Sequence, residues 1–293
     1  CCRHGANLRR RRRRRRKILR SIIFSCSIIA VAVFVAVGSS MIRSGDGRTN
    51  RYDVEAGNNT YDNAVIENSK ISEKNKIQNN QSMLDDIMNS TQYPKQLKDL
   101  ALKNEEALEF VYDYPTEHVK EHTIDLTEEA SIDSVPLFVQ WDKRWGYEKY
   151  SGNFFAASGC GPTTLSMVVV YLTHNREASP IAVAKYSKEA GYSVDGSGSS
   201  WTLISEGCMH YGVKAKAVAL DESRMKAELD EGHPIVVNVG PGDFTDTGHF
   251  MVITGYDDEG FSINDPNSIE KSGKRWLFKN ISSQIRAVWS MYV

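Results

Sequence analysis

Cysteine is scarce in this chain. Its 293 residues hold five, Cys1, Cys2, Cys26, Cys160 and Cys208, and just the last two fall in a stretch patterned like a globular domain. That excludes a disulfide framework and leaves one Cys160–Cys208 bridge as the minority alternative to two free thiols. Acidic residues are missing from residues 1–20, which carry eleven Lys and Arg, so the formal net charge of −1 leaves −12 for everything beyond Arg20. An acidic body argues against nucleic acid as its partner. No internal repeat and no long heptad pattern is present, which excludes a solenoid and a coiled coil. Gly196-Ser197-Gly198-Ser199-Ser200-Trp201 lacks the third glycine and the preceding strand of a nucleotide-binding turn, so it reads as a loop entering a helix near Thr202 to Tyr211.

Charge is also missing from Ser21 to Ile42, and those residues in a helix would span roughly 33 Å, enough for a hydrocarbon core of about 30 Å. With Arg9 to Arg16 directly in front, the run predicts a signal anchor at residues 21–42, residues 1–20 on the cytoplasmic side and the remainder outside the cell. Cleavage after a small-residue site near Ala36-Val37-Gly38 is the competing expectation, and it also delivers the body outside. Residues 43–92 are rich in Asn, Ser, Asp and Lys and are expected to be a flexible polar tether. Residues 93–133 are expected to be a helical pre-domain segment, with apolar positions from Leu97 to Val111, followed by an acidic linker. His118 and His122 have the spacing of i,i+4 metal ligands but no third ligand nearby, so solvated histidines are expected there.

The main domain is expected over residues 134–293. Val135 to Val139 alternates and delivers Gln140. Ala157-Ser158-Gly159-Cys160-Gly161-Pro162-Thr163-Thr164, followed by the apolar run Leu165 to Leu172, predicts a loop that brings Cys160 to the first turn of a buried helix. There, unpaired backbone N–H groups and the helix dipole favour a thiolate. A second helix should start at Pro180. Farther on, the period changes to two, with strands at Val213 to Leu220, Ile235 to Val239, His249 to Tyr256 and Phe261 to Asp265, and a short helix capped by Asp221. Helices first and antiparallel strands afterwards give an α+β architecture. Cys208 reads as a buried, inert thiol.

A cysteine nucleophile requires a base, a group that orients the base, and donors for an oxyanion. His249, which opens a strand behind the loop Gly240 to Gly248, is the candidate base. Asp265, at the end of the next strand, is the candidate orienting group. From the pair Tyr256 and Phe261 beside the hairpin, seven residues lead outward to His249 and four to Asp265, so bringing them together requires a bulge or a twist. Gln140 is a candidate oxyanion donor beside the Cys160 N–H. Singly, each has an ordinary alternative: a core histidine, a turn former before proline, a surface amide.

Gln140-Trp141-Asp142-x-x-Trp145-Gly146, Gly159-Cys160-Gly161-Pro162-Thr163, Gly248-His249-Phe250 and Asn264-Asp265-Pro266 together resemble the family 39 cysteine peptidases, the bacteriocin-leader-processing group with a papain-like fold. The resemblance covers roughly Tyr93 to Val293. It implies Cys160 as nucleophile, His249 as general base and acid, Asp265 as orienting group and Gln140 as oxyanion donor, acting through a thioester without metal or organic cofactor. It also implies a bacterial source. The chain looks most like surface-anchored, stand-alone relatives acting on peptide or protein substrates, with a tether able to reach a cell wall. The alternatives are a cell-wall peptide amidase or transpeptidase, a catalytically silent peptide-binding module, and, last, a metal site built from Cys160, His249 and Asp265.

Overall fold

The strand expected between Pro234 and Gly240 forms over Ile235–Val239, and a further strand near the end of the chain, unannounced by its residue pattern, pairs beside it. The computed structural model describes residues 58–293, with side chains from Ser72 onward; the basic segment 1–20 and the expected span 21–42 lie outside the described residues. Among the described residues no helix is long and apolar enough to cross a membrane. By its internal contacts the chain divides after Glu67, and the packing below belongs to the second unit, Asn68–Val293.

Six strands form one antiparallel sheet: β1 (Lys214–Ala217), β2 (Ile235–Val239), β3 (His249–Asp257), β4 (Gly260–Asn264), β5 (Arg275–Trp276) and β6 (Ile285–Tyr292), in the order β1-β6-β2-β3-β4-β5. Because side chains alternate along a strand, the sheet divides its apolar residues between two cores. Val236, Phe250, Val252, Trp289 and Met291 pack with Leu165, Val168 and Val169 of a helix on one face. Ile235, Val237, Met251, Ile253 and Ile263 pack with Met225 on the other.

Five of the helices bear on the sheet and the site: α1 (Asn58–Asn89), α2 (Lys95–Lys103), α3 (Cys160–Thr173), α4 (Pro180–Glu189) and α5 (Glu222–Asp230). In α3 every residue from Gly161 to Val170 is buried, as expected for a helix apolar on all sides. Ser179 caps α4 through the Ala182 N–H and Asp221 caps α5 through the Arg224 N–H. Glu228 of α5 joins the helix to the sheet by accepting from Ser290 of β6 at 2.7 Å and pairing with Lys216 of β1 at 3.1 Å.

Two expectations are corrected. Residues 43–92 were expected to be a flexible tether, yet α1 occupies Asn58–Asn89. The composition is polar, but no Gly or Pro falls within Asn58–Asn89, and one short apolar face, with Ile87 fully buried and Met83 and Leu84 against it, docks on Leu97, Leu100 and Leu108. The acidic linker before residue 134 contains a helical turn, Thr127–Ser131, and buries Leu126 and Ala130 in the main core. The upstream helices form a third cluster in which Ile87, Leu97, Leu100, Phe110 and Val111 meet Phe154 and Ala156.

Candidate active site

Gly159 is the N-cap residue of α3, so Cys160 is its first helical residue and Pro162 lies in its first turn. The first intrahelical bond runs from Thr163 N–H to Gly159 C=O at 3.0 Å, which leaves the Cys160 N–H outside the helical ladder. Thr164 Oγ1 donates to Phe250 C=O at 3.1 Å and fixes this helix end against the start of β3. His249 is the first residue of β3 and is buried, with its Nε2 2.6 Å from Asp265 Oδ1. Asp265 is fully buried. Since Asp265 occupies Nε2, Nδ1 is the ring nitrogen left for the Cys160 thiol.

The electrostatics of the three groups are mutual. Burial works to raise the Cys160 pKa, but the hydrogen bond and charge of His249, with backbone N–H groups of Phe250 and Gly161, outweigh it and hold the thiol below its ordinary range. Burial works to lower the His249 pKa, and the Asp265 carboxylate, through charge and hydrogen bond, together with Cys160, reverses that and pushes it up to about 10. Both directions favour thiolate beside imidazolium. Among the described residues Asp265 Oδ2 has no hydrogen-bond partner, so the carboxylate charge is compensated mainly by the ring beside it. Cys208, by contrast, is free, fully buried and pushed up to about 11 by burial, the inert thiol expected.

Gln140 arrives by a different route. Residues 135–139 belong to no helix or strand, Gln140 begins a turn, and the segment is tied to the end of β4. Asn264 Nδ2 donates to Val135 C=O at 3.1 Å and Pro136 C=O at 3.0 Å, and Gln140 N–H donates to Pro266 C=O at 2.7 Å. The buried Gln140 side chain donates from Nε2 to Ala156 C=O at 2.7 Å. A carbonyl only accepts, so this contact fixes which end of the amide is nitrogen and leaves its second N–H free to act as a donor. Gln140, Cys160 and His249 line one cleft of about 490 Å³.

The four residues singled out in the sequence therefore meet at one place. His118 and His122 do not join them: His118 Nδ1 lies 2.5 Å from Tyr114 C=O and His122 Nε2 3.2 Å from Glu117 C=O. Among the described residues no group of three or more His, Cys, Asp or Glu could hold a metal ion. The sequence reading missed the other walls of the cleft, the loop from Gly242 to Gly248 and the side chains Asp99, Lys103 and Asn104 from α2 and its end. It also missed Asn267, whose N–H donates to Asp265 Oδ1 at 2.8 Å. The Asp-Pro-Asn-Ser run carried that signal, since an Asp side chain accepting from the backbone two residues on is the Asx turn.

The sequence matches the model of the Peptidase_C39 like family over residues 132–293. Among solved structures, similarity is found to the peptidase domain of Streptococcus ComA, a bi-functional ABC transporter involved in quorum sensing, at 19% identity and a TM-score of 0.40, covering 54% of this chain and 96% of that one. A protein described as a C39-like peptidase from Bacillus anthracis is similar at 16% identity and a TM-score of 0.34, covering 54% of this chain and 95% of that one. Comparison with curated proteins gives no match.

Proposed function

This chain belongs to the Peptidase_C39 like family, and on that premise we propose that it is a cysteine peptidase that cleaves peptide bonds with Cys160, His249 and Asp265, tethered outside the cell by residues 21–42. The observation that carries the reading is the 2.6 Å contact of His249 with Asp265 beside a thiol at the first position of a helix. In the reaction, the Cys160 thiolate attacks the substrate carbonyl carbon. The developing oxyanion accepts from the Cys160 N–H and the free N–H of Gln140 Nε2. The His249 imidazolium gives its proton to the leaving amine, and the acyl group remains as a thioester on Cys160. Water then attacks the thioester, His249 takes its proton, and the acid leaves as the thiolate returns. Asp265 keeps the ring in one orientation and supports its charge through both steps.

The topology rests on the charge asymmetry around residues 21–42. It predicts that protease added to intact cells reaches the domain. The catalytic reading is tested by treating the full chain with an epoxysuccinyl peptide, a probe that needs a thiolate, and with a library of unstructured peptides. A covalent adduct mapped to Cys160 by mass spectrometry, with peptide cleavage lost in Cys160→Ala, supports the peptidase. A folded protein that neither takes the probe at Cys160 nor cleaves any peptide refutes it.

A further inference from the structure

Asp265 does not hold its own place. Its Oδ1 accepts from Asn267 N–H at 2.8 Å and its backbone N–H donates to Ser272 Oγ at 2.9 Å, so the carboxylate goes where the turn Asp265 to Ser268 and the helical turn Ile269–Ser272 put it. That turn is gripped by two residues upstream of the family-matching region. Asn104 Nδ2 donates to Asn267 C=O at 2.9 Å and to Asn267 Oδ1 at 3.0 Å. The Glu106 carboxylate accepts from the Ser268 hydroxyl, from Ile269 N–H at 2.7 Å and from Glu270 N–H at 3.1 Å. The two are coupled, because Asn104 Oδ1 accepts from Glu106 N–H at 3.0 Å. A carboxylate offers lone pairs on two oxygens, and Glu106 uses both, Oε1 for Ser268 and Oε2 for the two backbone donors.

The segment that carries Asn104 and Glu106 is itself anchored to the main domain. Phe110 stacks on Tyr147 at 4.2 Å between ring centres, Tyr147 Oη donates to Phe110 C=O at 2.8 Å, and Lys143 pairs with Asp113 at 2.6 Å. These contacts, with the apolar cluster of Leu97, Leu100 and Phe110 on Phe154 and Ala156, hold it against the main domain.

We propose that Asn104 and Glu106 are positioning residues of the catalytic centre, setting Asp265 against His249 through the turn at Asn267 and Ser268. The inference rests on the reading of Cys160, His249 and Asp265 as that centre. Releasing the turn lets the carboxylate drift from the ring, and the imidazolium that keeps Cys160 ionised weakens with it.

The test is alkylation of Cys160 by iodoacetamide across pH in the full chain, comparing wild type with Glu106→Ala, Glu106→Gln and Asn104→Ala, each followed by thermal melting. We expect the midpoint of labelling to rise by about one pH unit in Glu106→Ala and Asn104→Ala, toward the ordinary thiol value near 8.5. Glu106→Gln, which keeps one acceptor oxygen, should recover part of the shift, and it carries the test with Asn104→Ala where Glu106→Ala does not fold. A low midpoint in wild type that stays the same in the folded variants overturns the positioning role alone. An ordinary midpoint in wild type overturns the catalytic reading together with it.

Discussion

His249 and Asp265 share one face of the sheet because Thr254 is an extra residue in β3. The ladder pairs Tyr256 with Phe261 and Gly255 with Ser262, then skips Thr254 and resumes with Ile253 opposite Ile263 and Val252 opposite Asn264. Continued one step past its last pair, that register sets Asp265 opposite Met251, two residues from His249 along β3. Two is even, so both side chains point the same way and stand as diagonal neighbours. Without the bulge, Asp265 would fall opposite Val252, three residues from His249 and on the opposite face. A single inserted residue decides whether the pair can form.

Deleting Thr254 should therefore separate base from orienting group. We expect a protein with Cys160 labelling shifted to ordinary thiol behaviour and with reduced stability, since β3 lies inside the sheet. Circular dichroism and the pH profile of labelling read the two effects apart.

Asp265→Asn keeps the shape of the side chain and removes its charge. The expected loss in kcat is about 10²–10⁴-fold, with the alkaline limit of activity moving down because His249 loses what raises it. A kcat–pH profile against any cleaved peptide checks both.

Gln140→Ala should lower kcat by about 10²–10³-fold with little change in KM, the signature of a donor that matters to the oxyanion. A rise in KM with a fall in stability and no loss of kcat would assign Gln140 to holding Ala156 and nothing more.

Gly146→Ala should loosen the upstream helices. A Cβ there would come within 2.8 Å of Phe110 Cζ and 2.9 Å of Asp142 O, and the backbone atom cannot swing away. Overpacking of this kind costs about 1–3 kcal/mol, measurable by urea denaturation.

Much of this arrangement could be read directly from residues. Cys160 between two glycines before an apolar run specified a helix start, and Asp221, Pro180 and the run Ile235 to Val239 each announced their element locally. The Tyr256 and Phe261 pairing also followed from the hairpin, and the count of seven against four already required the irregularity that Thr254 supplies. Which residue bulges was not legible, because Thr254 is an ordinary strand residue and the register shift shows only in the pairing with β4. The central place of β6 was hidden as well: strand order depends on partners distant in sequence, Ala287 to Ser290 against Ile235 to Asn238. The helix Asn58–Asn89 was missed because a polar composition hides a docking face as short as Met83, Leu84 and Ile87. Nor does any local pattern tell that Asn104 and Glu106 hold a turn more than 160 residues away.

The proposed mechanism requires Cys160 and His249 to exist as thiolate and imidazolium over the working pH range. A thiol lowered by its surroundings stays ionised, and reactive, as pH falls below its ordinary value, until it protonates at its own lowered pKa. A ring raised by its surroundings keeps its proton as pH rises, until it loses it near 10. The most direct measurement is the rate of Cys160 alkylation by iodoacetamide from acid to alkaline pH in wild type and in His249→Ala. Fast labelling confined to Cys160 is expected, persisting well below pH 8.5 in wild type and collapsing to an ordinary thiol profile in His249→Ala. A wild-type profile with an ordinary midpoint, indifferent to His249, would contradict it.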